Sequence, residues 1–406
     1  MDRRRTGPAG LLSAIAVSQI GNVVAVVALP WFVLQTTGSA ARTGIVAFAT
    51  TVPLAVGAVA AGPLLDRLGV RPASVLADLG AAASIATIPV LHIWGHLSFG
   101  ALLAFAFLAG TFEAPGRTAR RAMLPGLAAG AGFSLERVNS VSTTTEHLGY
   151  VLGAPLAGGL IAGLGAPGAL WLDAASFVGS AVIVASTVPA LRSSAERPPL
   201  LAGLRFIRNS PIIRTFLIIW TAGAFLVTPL AGVMLPVYTN QRFGTAGALA
   251  AAVTALGAGG ILGTLTFATV GRSWPRRRAF VVMWVTYPLL SCVLMLLPGL
   301  VPLLALLAAI GLVTGAYDPL EVTIYQENIP PPLRSQVFAA LLAAEMTAVP
   351  LAMLTYGFLI TSAGLRAGTV LFGAGNLALG AYALRAPATR RLGTPSRLLP
   401  PDRGTA

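Results

Sequence analysis

Of the 13 acidic side chains in this 406-residue chain, several fall inside long apolar runs. A carboxylate placed in hydrocarbon costs several kcal/mol unless it is paired, protonated or hydrated. A carboxyl group that alternates among those conditions can carry a proton. Glu146 and Glu345 sit near the middle of two such runs, and aligning the runs on Gly159 and Gly357 puts them within one residue of equivalence. They are the first candidates for proton coupling. Glu113 and Asp318 lie toward one end of their runs and form a second pair. For Glu113 there is a structural alternative, an i,i+4 contact with Arg117. Asp78 is expected to find a structural partner among the nearby Arg67 and Arg71, and Asp173 to cap the start of a helix. Hydrolytic or redox chemistry has no comparable support. There is no His-Glu-x-x-His or Gly-x-Ser-x-Gly pattern, and His92 and His96 lack further metal ligands. All 27 basic residues are Arg, so a Walker A loop and Schiff-base chemistry are excluded for want of Lys. No enzyme activity, metal or cofactor is expected.

The elements that must position these acids are membrane helices. Mean hydropathy is +0.81 and only 10% of residues are charged, against roughly 25% in soluble domains. A span needs about 20 apolar residues to cross the bilayer with its backbone hydrogen bonds closed. Twelve stretches reach that length: 10–34, 43–65, 73–93, 97–116, 138–164, 167–190, 212–239, 245–270, 279–298, 300–325, 335–361 and 365–386. A count of eleven is compatible with the same runs. With both termini in the cytoplasm, Arg42, Arg242 and Arg366 face outward and all other Arg residues face inward, which follows the positive-inside rule. The net charge of +14 therefore belongs to short loops beside anionic lipid and not to a nucleic-acid surface. The expectation is an all-α multi-pass protein of a bacterial cytoplasmic membrane, monomeric, whose partners are the lipid bilayer, protons and a small-molecule substrate. Cys292 is alone, so no internal disulfide can form.

The longest polar break predicts two six-helix bundles, 1–190 and 212–390, joined by a cytoplasmic linker at 191–211 that suits a short surface helix. Residues 391–406 are expected to be a disordered cytoplasmic tail. The halves echo one another: Leu29-Pro30-Trp31-Phe32 with Gln35 and Gly38 returns as Leu235-Pro236-Val237-Tyr238 with Gln241 and Gly244. Gly110-Thr111-Phe112-Glu113 returns as Gly315-Ala316-Tyr317-Asp318. One register shift of about 205 residues covers both, as in transporters built from internal repeats.

Gly62-Pro63-Leu64-Leu65-Asp66-Arg67-Leu68-Gly69-Val70-Arg71 lies between the second and third spans and resembles the loop signature of the major facilitator superfamily. The resemblance implies a twelve-helix, two-bundle fold. It also implies a conformational gate carried by Gly62, Asp66, Arg67, Gly69 and Arg71. The second-half counterpart, Gly271 to Arg278, keeps the basic charge and lacks the Asp. Ala154-Pro155-Leu156-Ala157-Gly158-Gly159 is similar to the hinge pattern of proton-coupled drug antiporters, with Pro155, Gly158 and Gly159 as its key positions; ordinary small-residue packing accounts for it equally well. Residues 110–125, Asn139-Ser140, Trp171 to Phe177 and Gln326 to Pro330 resemble the branch that includes macrolide, tetracycline and siderophore exporters. The family places substrate among the first, fourth, seventh and tenth spans, which makes Gln19, Asn22, Trp31, Tyr238 and Tyr317 cavity candidates. The function so implied is proton-coupled efflux of a small lipophilic drug, natural product or siderophore by alternating access. The alternative is a proton-coupled uptake permease or facilitator of the same fold.

Overall fold

The computed structural model describes residues 3–132, 135–189, 200–269, 274–330, 333–390 and 392. Helices make up nearly all of it: α1 (Arg3–Thr37), α2 (Ala40–Leu68), α3 (Val70–Ile93), α4 (Phe99–Ala131), α5 (Leu135–Thr187), α6 (Leu200–Asn209), α7 (Pro211–Val227), α8 (Leu235–Phe243), α9 (Ala246–Thr269), α10 (Arg276–Val293), α11 (Leu300–Asn328), α12 (Arg334–Ala363), α13 (Leu365–Arg385) and the short α14 (Pro387–Arg390). Among the described residues, ten helical segments are long and apolar enough to cross a membrane, the run from α7 to α8 counting as one. One of the ten, α5, breaks at Gly165 into two arms, and α2 supplies a further, shorter apolar stretch, so the described residues supply helices for the twelve-helix fold. Between α7 and α8 lies a π-helical turn, Leu230–Met234, bracketed by Pro229 and Pro236. Proline removes backbone donors and favours such a local widening.

Three hairpin turns share one device. Gly69, Gly165 and Gly364 have φ of 82°, 74° and 83° with ψ of 154°, 168° and 167°. This region is open essentially only to glycine, and it reverses the chain within a single residue. The requirement accounts for Gly69 in the loop signature, because α2 ends and α3 begins on it. Gly69→Ala is expected to cost about 1–3 kcal/mol, measured as a lower thermal unfolding midpoint of the detergent-purified protein; an unchanged midpoint would contradict this account. The repeat glycines Gly38 and Gly244 also match, each at positive φ (62° and 68°) where α1 and α8 stop.

The two groups of helices, α1 to α5 and α7 to α13, meet along α2 with α12 and α5 with α9. Glycine allows both contacts. A Cβ on Gly357 would stand 2.9 Å from Gly44 Cα, one on Gly44 would stand 2.6 Å from the Met353 carbonyl, and one on Gly158 would stand 2.5 Å from Ala250 Cβ. At the end carrying Gly38 and Gly244, the amide of Gln35 donates to Asn240 Oδ1 (3.3 Å), and the backbone N–H of Ala41 donates to Thr361 Oγ1 (2.7 Å). A single apolar core containing Val27, Phe32, Val233, Tyr238, Met353 and Tyr356 runs through both groups here. Toward the opposite end, each group keeps its own core: Leu11, Met123 and Val184 in the first, Phe216, Phe280 and Tyr325 in the second. The halves are thus joined at one end and separately packed at the other.

Repeat-related Gly110 and Gly315 do the same work. A Cβ on Gly110 would collide with the Thr50 carbonyl of α2, and one on Gly315 with the Gly260 carbonyl of α9. Thr264 Oγ1 then donates to the Gly315 carbonyl at 3.0 Å.

Candidate functional site

The cavity richest in chemistry lies within the second group of helices. It is a half-open pocket of about 280 Å³ lined by α7, α10, α11, α12 and α13. Trp220, Trp284, Tyr287 and Tyr317 provide aromatic walls, and Glu321, Glu345 and Asn376 provide polar groups. The Trp220 indole N–H donates to Glu345 Oε2 at 2.9 Å. No cation pairs with Glu345 among the described residues. Glu321 accepts a hydrogen bond from the Tyr325 hydroxyl at 3.3 Å. Trp284 meets the Tyr317 ring edge-on with centroids 5.6 Å apart. The helical reason for this convergence is small-residue relief: Gly223 and Ala224 on α7 leave room in front of the aromatic rings.

In the first group, Asn22 Nδ2 donates to Glu113 Oε1 at 3.2 Å, and Arg117 Nη1 reaches the same oxygen at 3.5 Å. The structural alternative for Glu113, the contact with Arg117 one turn later in α4, is present, and Asn22 adds a polar link to α1. Asp173 departs from its expected role. It lies well inside the helical arm after Gly165, 1% exposed, and its Oδ1 has no hydrogen-bond partner among the described residues. Gly21 makes room for it, since a Cβ there would stand 2.9 Å from Asp173 Oδ1. Asp78 also departs from expectation. Its partner is Arg120 of α4 at 2.5 Å, with Ser180 Oγ donating to the other carboxylate oxygen at 2.7 Å. Arg71 instead donates to the Ala185 carbonyl near the end of α5, where a cation suits the helix dipole. Arg67 is exposed.

The remaining sequence candidates scatter. Trp31 lines a cleft of about 520 Å³ at the joined end with Gln35, His92 and Gly165. Tyr238 is buried and donates its hydroxyl to the Pro298 carbonyl at 2.6 Å. Gln19 packs where Gly149 leaves space. Pro155, Gly158 and Gly159 line a shallow groove between α5 and α9. Tyr317 alone of these borders the cavity that holds Glu345. Gly62 falls within α2, and the side chains of Asp66, Glu146 and Asp318 lie outside what the structure describes. Trp220 and Trp284 were missed in the sequence. A signal for Trp220 existed, an aromatic N–H donor in the middle of an apolar span, but nothing local linked it to Glu345.

Residues 11–341 match the family model described as Major Facilitator Superfamily. The chain is 34% identical to the multidrug efflux pump Tap of Mycolicibacterium fortuitum, with 98% of this chain and 100% of that protein aligned. It is 33% identical to Tap of Mycobacterium bovis (strain BCG / Pasteur 1173P2), covering 97% and 96%. Among solved structures, a D-xylose-proton symporter superposes with a TM-score of 0.74 at 12% identity, covering 94% of this chain and 98% of that one. That last likeness concerns the fold alone.

Proposed function

As this chain belongs to the Major Facilitator Superfamily, it is a secondary transporter of the drug-efflux kind and not an enzyme, and we propose that protons drive its export of small lipophilic compounds. The observation that carries export is identity of 34% to a multidrug efflux pump along its full length. In our reading both termini are cytoplasmic, which puts Arg42, Arg242 and Arg366 at the outer face and the Arg67–Arg71 loop at the inner one. The joined end is then the closed outer gate. Residues 1–190 and 212–390 rock as two bundles about the α2–α12 and α5–α9 contacts, with 191–211 as the tether. Asp66, Arg67, Gly69, Arg71 and Gly62 form the inner gate, where Asp66 suits the positive start of α3 and Arg71 ties the loop to the end of α5. Pro155, Gly158 and Gly159 keep the α5–α9 contact thin enough to slide. The transporter works as a monomer.

Coupling is assigned first to Glu345. It is half-buried, opens into a cavity, and holds one N–H donor with no cation beside it among the described residues. Such a carboxyl is stable when protonated and is recharged when water or a charged ligand reaches it. Glu146 is the counterpart in the first bundle; Glu113 and Asp318 relay protons nearer the inner face. In everted vesicles energised by a proton gradient, the wild type accumulates substrate, and Glu345→Gln falls to the level of de-energised vesicles while remaining in the membrane. Normal gradient-driven accumulation by the variant would remove Glu345 from this role. Direction is read in a pump-deficient host challenged with antibiotics, dyes and siderophores. Export gives protection, whereas the alternative, proton-coupled uptake in the same fold, gives sensitisation.

A further inference from the structure

Asp173 is a buried carboxyl with no task in the coupling scheme. It lies about 12 Å along the helix from the Gly165 turn, near the middle of a hydrocarbon layer roughly 30 Å thick. It is 1% exposed, and its Oδ1 lacks a hydrogen-bond partner among the described residues. Ser176 Oγ, one turn on, donates to the Asp173 backbone carbonyl at 2.7 Å and leaves the carboxyl alone. The surroundings offer one cation for two carboxyls. From α4 come Glu113 and Arg117, in contact at 3.5 Å, and Glu113 is close enough to Asp173 for their charges to repel. From α3 comes Asp78, engaged by Arg120 and by Ser180 about two turns further along. Neither α1 from Gly7 to Thr37 nor α9 carries a charged residue. Arg117 therefore neutralises Glu113, and no described group neutralises Asp173. An unpaired anion at this depth is costly, so in this arrangement Asp173 holds a proton.

The helix beside it is also the one that gate movement pulls. α1 packs along α5 and, at the joined end, touches α8 and the π-helical turn of the second group. It meets Asp173 Oδ1 with Gly21, which has no side chain, so a small withdrawal of α1 admits water. Ser18, one turn earlier on α1, is buried with its hydroxyl unpartnered among the described residues and can hold such a water. Asn22 ties the same stretch of α1 to Glu113, so the movement reaches the Glu113–Arg117 pair as well. We propose that Asp173 is a proton-binding site of the first bundle, loaded from the outer side when α1 withdraws, carried in the outer-closed arrangement seen here, and emptied on the Glu113 side. Loading forms the carboxyl O–H and leaves neutral water where hydronium stood. Unloading breaks that bond and hands the proton to water beside Glu113, the carboxylate keeping the electron pair. The assignment rests on the proton-driven reading above and adds a site to it.

Protonation is read by infrared difference spectroscopy of the purified full chain in detergent at neutral pH, where a protonated carboxyl gives a carbonyl stretch above the amide I band. Subtracting Asp173→Asn from the wild type is expected to leave such a band, and a flat difference there would overturn the proposal. Should the variant fail to fold, the wild type grown on aspartate isotopically labelled at its side-chain carboxyl carbon decides. A protonated-carboxyl region that does not shift with the label overturns the proposal equally. Traffic through the site is read in everted vesicles with ethidium and tetracycline as probes. If the proton never left, Asn would replace Asp without loss. Asp173→Asn is instead expected to lose gradient-driven accumulation, down to the level of de-energised vesicles, while still exchanging the probe down its own gradient. Unimpaired gradient-driven accumulation in Asp173→Asn sinks the proposal even with the band present. The two failures are separable: a wild type that accumulates neither probe better with a gradient than without it removes the proton-driven reading, while the infrared band still decides whether Asp173 binds a proton.

Discussion

Leucine at Gly357 abolishes export while leaving the protein in the membrane. Gly357 faces Gly44 across the α2–α12 contact, and there the two backbones touch: a single Cβ at Gly357 already stands 2.9 Å from Gly44 Cα and 3.0 Å from the Ala40 carbonyl. Four side-chain carbons in that gap cannot be absorbed by a rotamer change, because the neighbours are backbone. Overpacking of this kind costs about 1–3 kcal/mol or more in a close-packed core. Only the joined arrangement bears that cost, since separating α2 from α12 relieves it. A bias of about 1.4–3 kcal/mol moves an equilibrium between two gate states by roughly 10- to 100-fold. The measurement is labelling of Gln35→Cys by a membrane-impermeant maleimide, in a Cys292→Ser background, with Gln35 chosen because it meets Asn240 across the same gate. Labelling rises by roughly tenfold in Gly357→Leu and transport disappears. Unchanged labelling together with wild-type transport would show that the α2–α12 contact does not close the gate. Gly158→Leu, on the α5–α9 contact, is expected to act in the same direction, though less strongly because its neighbour is the Ala250 methyl group.

Arg120→Ala has the second large effect, and it falls on folding. Asp78 is 0% exposed and Arg120 4% exposed, in a network that binds α3 through Asp78, α4 through Arg120 and α5 through Ser180. Removing one member of a buried ion pair leaves an uncompensated charge, which costs about 3–5 kcal/mol. The yield of membrane-inserted protein and its thermal midpoint both drop. The double variant Asp78→Asn, Arg120→Met removes both charges at once and recovers much of the loss, since replacing a buried pair with neutral groups is often close to neutral. If Arg120→Ala proves as stable as the wild type, the pair is not the clamp described here. If the double variant is no better than the single one, the damage is packing and not charge.

The signature loop had been expected to supply the partner of Asp78. Arg71 lies nearer in sequence, yet it is drawn to the Ala185 carbonyl, and Arg120 arrives from the far end of α4. Gly116 helps to admit it, for a Cβ there would stand 3.3 Å from Asp78 Oδ1. The lesson extends to Asp173. As a residue near the start of the sixth span it suited a cap, but the turn is made by Gly165 alone, so the helix begins earlier and carries the carboxyl inward. A cap depends on where the helix starts, and that start was decided by one glycine conformation.

Much of this protein was nonetheless determined by sequence alone. Hydropathy sets the crossings because each span must close its own backbone hydrogen bonds in lipid, a condition local to some 20 residues. The repeats of Leu29–Gly38 and Leu235–Gly244 were legible because both helices end on glycines held at positive φ. The family, the helical class and the export function also followed from short motifs in the right order. Tertiary structure decided the rest: the meeting of Trp220 with Glu345 across 125 residues, the Asp78–Arg120–Ser180 network, and the placing of the aromatic cavity within one bundle. The physical reason is rotation. Membrane helices are apolar around most of their circumference, so the pattern that fixes where a helix crosses says little about which face turns inward. That angle is settled by where glycines let two backbones touch and where a buried charge finds its partner, and both are properties of pairs of helices, not of one.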